Sequence, residues 1–163
     1  MIRHLLISSA FILASTVTFA ANANAEDGSA GANGTVTDNC TFYGVVPGEL
    51  IVNSGGTILQ SANGGTPASV LIDCNNAATL TISKPKQNII EAGTTNFLDT
   101  QLTATATSSN LPNINITSSN ASIGNIPADT QEGKIIVNME ANNGSNKISA
   151  GKYSFTVTLT ASP

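Results

Sequence analysis

Tryptophan is absent from this chain, histidine and arginine occur once each as His4 and Arg3, and only 10% of the residues are charged. Each shortage excludes something. Serine or cysteine nucleophiles usually need a neighbouring base, most often histidine. A transition-metal site needs histidine or free cysteine at ligand spacing. A groove that stacks sugars or bases leans on aromatic rings, and there are only two tyrosines and five phenylalanines. No Gly-x-Ser-x-Gly and no Asp-x-Asp-x-Asp-Gly loop occurs, so neither a nucleophile elbow nor an EF-hand-type calcium loop is encoded. Asp73, Asp99, Asp129 and Glu132 are scattered singly. A carboxylate-based glycoside hydrolase is the one enzymatic class that spacing alone leaves open, because its two acids meet only in the fold. The expectation is no catalysis and no cofactor.

Both rare residues fall in one segment. Met1-Ile2-Arg3-His4 is a short positive start, the apolar run from Leu5 to Phe19 follows, and Ala23-Asn24-Ala25 fits the small-x-small rule of leader cleavage. Residues 1–25 therefore read as a signal peptide, cut before Glu26. The run is too short and too rich in hydroxyls for a spanning helix, so no membrane insertion is expected after cleavage. What remains, residues 26–163, keeps five lysines against ten carboxylates, a net charge of −5. That balance offers no attraction to nucleic acid or anionic lipid. The expected location is periplasmic, secreted or at the cell surface.

Two cysteines in an exported chain read as one disulfide, Cys40–Cys74, closing a loop with 33 residues between them. The Gly- and Ala-rich stretch 26–35 reads as a flexible arm, and 36–163 as a single domain. Within it, apolar and polar residues alternate with period two, and no helical periodicity appears. A first strand runs from Val36 through Cys40 and Phe42 to Tyr43, ended by a turn at Val45-Val46-Pro47-Gly48. Asn53-Ser54-Gly55-Gly56 reads as the turn of a hairpin. Val70, Ile72 and Cys74 share one face of a strand, Leu80 and Ile82 another, and Leu102, Ala104 and Ala106 a third. Residues 86–99 are irregular, with Ile89 and Ile90 candidates for a short edge, and residues 120–133 read as loop. Ile114 and Ile116, then Ile135, Val137 and Met139, mark two more strands. The clearest strand is the last, where Tyr153, Phe155, Val157, Leu159 and Ala161 alternate with Ser154, Thr156, Thr158 and Thr160. The pattern predicts an all-β, immunoglobulin-like Greek-key sandwich of about eight or nine short antiparallel strands.

Three features coincide: a leader, an early Cys40-Thr41-Phe42-Tyr43-Gly44 joined about one hairpin later by Cys74, and a closing Gly151-Lys152-Tyr153 that leads into the alternating strand. Together they resemble the spore coat protein U family and, more distantly, chaperone/usher pilin subunits. The resemblance implies a sandwich lacking one strand, completed by an extended segment of a neighbour. On that reading the chain is a structural surface or fibre subunit whose partners are itself or related subunits through strand addition. Tyr153, Phe155, Val157 and Leu159 then border the assembly edge, and the donor is the arm, with Ala30, Ala32 and Val36 at its alternate positions. The arm departs from the pilin pattern, since a donor strand needs large alternating apolar residues and this one offers alanine, glycine and then Asp38. The alternative is a self-complete secreted sandwich acting as an adhesive or scaffold protein.

Overall fold

A computed structural model describes residues 16–19, 38–88 and 92–163. The arm positions Ala30, Ala32 and Val36, and the edge candidates Ile89 and Ile90, lie outside these. The described residues form twelve strands: β1 Thr16–Phe19, β2 Cys40–Val46, β3 Ile51–Val52, β4 Ile58–Gln60, β5 Ala68–Cys74, β6 Ala78–Ile82, β7 Lys86–Gln87, β8 Leu102–Ser108, β9 Asn115–Thr117, β10 Gly124–Ile126, β11 Thr130–Asn142 and β12 Phe155–Ser162. Among the described residues the only helical element is one 3-10 turn, Asp99–Gln101.

The strands make two antiparallel sheets. One runs β1-β12-β6-β10, with β7 also on β12. The other is organised on β11, which pairs β5 along Thr130–Val137 and β4 along Glu140–Asn142 on one flank, and β8 along Ile135–Ala141 on the other. Outer strands β2, β3 and β9 complete it. Alternation places one face of each sheet inward. Val70, Ile72, Ala104, Ala106, Ile135 and Val137 from the second sheet meet Leu80, Ile126, Val157, Leu159 and Ala161 from the first in one buried core. A smaller cluster of Leu59, Phe97, Leu102, Met139, Ala141 and Phe155 fills one end. Phe97 sets its ring against Tyr153 and Phe155 at 6.0 and 5.9 Å. With so few aromatics, aliphatic side chains carry most of the burial.

The cysteines sit directly opposite each other on β2 and β5, both almost fully buried and joined in a disulfide with Cα atoms 4.2 Å apart. The all-β sandwich and the disulfide agree with the sequence reading, and four local expectations are corrected. The first strand starts at Cys40 and continues through Val46, where a turn was expected. Gly44 makes this continuation feasible: its φ of +60° falls where the β2–β5 register shifts between Tyr43 and Val46, a bulge that keeps the strand paired. The irregular stretch after Pro85 contains β7. Residues 120–133, expected as loop, contain β10 and the start of β11. Here Asp129 and Glu132 take positive φ values of 56° and 51° beside the bulge between Thr130 and Gly133, so the period-two signal is broken although pairing is not. The last strand begins at Phe155, leaving Tyr153 just outside it.

Closing a loop of this size by a disulfide stabilises a fold by roughly 3 to 4 kcal/mol in the chain-entropy account. The double variant Cys40→Ala/Cys74→Ala is expected to melt several degrees below the parent in a thermal unfolding experiment. An unchanged midpoint would show that the bond contributes nothing to stability.

Candidate functional site

β12 is the strand on which three of the edge residues singled out from the sequence lie, Phe155, Val157 and Leu159. In an antiparallel strand the N–H and C=O of one residue point to the same flank, and successive residues alternate between flanks. Ser83 and Asn88 donate their backbone N–H groups to the carbonyls of Thr158 and Ser154, at 2.8 and 2.9 Å. The even-numbered residues of β12 therefore turn their backbone toward β6 and β7, and the odd-numbered ones turn theirs toward the other flank. On that flank lies β1, with Val17 opposite Leu159 and Phe19 opposite Val157. The contact is four residues long and is drawn from the stretch expected to be a leader.

Of the four edge residues that the sequence points to, Phe155, Val157 and Leu159 are buried, their side chains in the core and their backbone on the β1 flank. Beside them an apolar cleft opens between the sheets, about 530 Å³ including its mouth. Val137 and Met139 of β11 form one wall, Phe155 and Val157 of β12 the other, and Val45, Pro47 and Leu50 lie at the β2–β3 end. The one polar side chain in the lining, Ser61, is already committed: its hydroxyl donates to Asn138 Oδ1 at 3.2 Å and accepts from the Met139 N–H at 2.9 Å. What the cleft can accept is thus an apolar side chain. Val45, which lines the cleft from β2, is 44% exposed. The cleft was not legible in the sequence, since its residues come from five separated segments.

Tyr153, the fourth, serves a different purpose from its strand neighbours. Its hydroxyl donates to the Ser149 carbonyl at 2.7 Å and accepts the Thr95 N–H at 2.9 Å, pinning two loops to the start of β12.

Neither this cleft nor a second one near Pro112, Pro127 and Pro163 has an aspartate or glutamate in its wall, so neither presents a catalytic pair of acids. Among the described residues no group of three His, Cys, Asp or Glu is placed to hold a metal ion. Asp73 Oδ1 instead accepts from the Tyr43 hydroxyl at 2.9 Å and from the Glu132 N–H at 2.7 Å, tying β2 to the β11 bulge. No family model, curated protein or solved structure matches the chain.

The Asp73 contact has a titration consequence. Desolvation raises the Tyr43 phenol above its ordinary value of 10.0, and the hydrogen bond to Asp73 and the charges of Asp73 and Glu132 add to it. The folded state thus favours the neutral phenol. Its contribution is complete below the ordinary value and is lost as pH rises through the folded one. In a spectrophotometric titration Tyr43 is expected to ionise late, and Asp73→Asn should move it back toward the ordinary value. An unshifted Tyr43 in the parent protein would rule out the contact.

Proposed function

We propose that this chain is an exported structural subunit of a surface coat or fibre, assembled by strand addition along the odd-numbered flank of β12. The observation that carries this reading is that this flank takes up a short antiparallel strand, Thr16–Phe19, from a segment whose sequence marks it for removal. Without that strand no other described element pairs the backbone groups of Val157 and Leu159 on that flank, and unpaired strand edges readily recruit another chain. The neighbouring cleft adds an apolar surface of the kind a donated strand covers. A buried disulfide suits an oxidising compartment, and no helix among the described residues is long and apolar enough to cross a membrane. The absence of carboxylates from both clefts favours this reading over a glycoside hydrolase.

The second reading is a self-complete sandwich acting as an adhesive or scaffold protein. It is favoured by the same strand if Thr16–Phe19 stays attached, because the β12 flank is then covered in cis.

Native gel behaviour separates the two. The exported protein, run in detergent without heating beside a boiled sample, is expected to give a ladder that collapses to one band on boiling. A single monomer band in both lanes would reject stable strand exchange and leave the self-complete sandwich.

A further inference from the structure

We infer that Thr16–Phe19 is an intramolecular place-holder: in the uncut chain it covers the β12 flank, and hydrolysis of the Ala25–Glu26 bond by a leader peptidase turns that flank into a receptor for an equivalent strand. This rests on the reading of β12 as an acceptor and adds what occupies it first and what must replace it.

The register defines the ligand. Thr16 pairs Thr160, Val17 pairs Leu159, Thr18 pairs Thr158 and Phe19 pairs Val157. Directly opposed residues of antiparallel strands share a face, and Leu159 and Val157 face the core. The core-side positions of a ligand strand in this register therefore fall opposite Leu159 and Val157, and the backbone register sets Val17 and Phe19, by sequence a β-branched and an aromatic residue, against those two. Both types favour strands. The next core-side position of such a ligand falls opposite Phe155, which lines the apolar cleft. The intervening positions, opposite Thr158 and Thr160, lie on the hydroxylated face. The receptor thus selects an extended segment that alternates large apolar with small hydroxylated residues. The arm, whose corresponding residues are alanine and glycine, meets that demand poorly. While the place-holder remains, it competes from within the same molecule at high effective concentration. Uncut chains stay closed, and assembly waits for processing.

Two measurements test this. A labelled peptide of residues 14–23 is titrated into the protein beginning at Glu26 and, separately, into the full chain. Saturable binding to the former, at least about tenfold weaker binding to the latter, and loss of binding when the peptide carries Val17→Asp and Phe19→Asp are expected. Equal binding to both proteins, or none to a Glu26 form that melts cooperatively, would overturn the inference. The second measurement does not require the shortened protein to fold. In the full chain, Thr18→Cys/Thr158→Cys is expected to form an added disulfide under oxidation, whereas Thr18→Cys/Thr156→Cys is not. Failure of the first pair, or equal yields from both, would overturn it. Peptide capture without a gel ladder would keep the place-holder and reject self-assembly, whereas a ladder without peptide capture would reject the place-holder alone.

Discussion

The hydrogen-bonding edge of β12 is the constraint around which this sandwich is arranged. The strand gives Val157, Leu159 and Ala161 to the main core and Phe155 to the smaller cluster, so displacing it would open both. Its even-numbered backbone groups are held by β6, β7 and the segment between them. Its odd-numbered groups depend on whatever lies on the other flank. Apolar burial fixes the side chains, but it does nothing for a row of N–H and C=O groups facing outward. Those groups need water or a strand, and beside an apolar cleft a strand satisfies them while covering surface that water leaves exposed.

The second sheet is fastened by other means. The Cys40–Cys74 bond joins β2 to β5 covalently, and the Tyr43–Asp73 contact links the same two strands near the β11 bulge. β11, thirteen residues long and paired on both flanks, forms the spine of the second sheet. A rigid second sheet opposite a β12 flank held by only four residues of β1 is the distribution of stability that strand exchange requires, because the flank can be vacated while the rest of the fold persists.

How much of this the sequence disclosed depended on whether the chain kept its period of two. β5, β8 and β12 alternate without interruption, and their inward residues were all readable in advance. The disulfide followed from two cysteines in a chain whose first residues read as a leader. β10 was hidden because Gly124 occupies an inward position: a Cβ there would lie 2.8 Å from Ile114 Cδ1, so the core demands a residue that carries no hydrophobic signal. The onset of β11 was hidden by two positive-φ acids, and the end of β2 by a glycine bulge followed by proline. At the candidate site, Phe155, Val157 and Leu159 were legible as a strand face. The cleft beside them was not, because it is assembled from β2, β5, β11 and β12 together with the β2–β3 connection and the residue after β4. The pairing of Thr16–Phe19 escaped because a leader pattern and a strand pattern draw on the same β-branched and aromatic residues.

The most direct test of the central claim is amide hydrogen exchange along β12 in the monomeric protein that begins at Glu26. The Thr158 amide, bonded to the Ser83 hydroxyl, and the Thr160 amide, directed toward β6, should be strongly protected. Those of Val157 and Leu159, directed toward the vacated flank, should exchange much faster, becoming protected when a strand is supplied. Equal, strong protection of all four in the isolated monomer would mean that another element of the chain already covers this edge, and the acceptor account would be wrong.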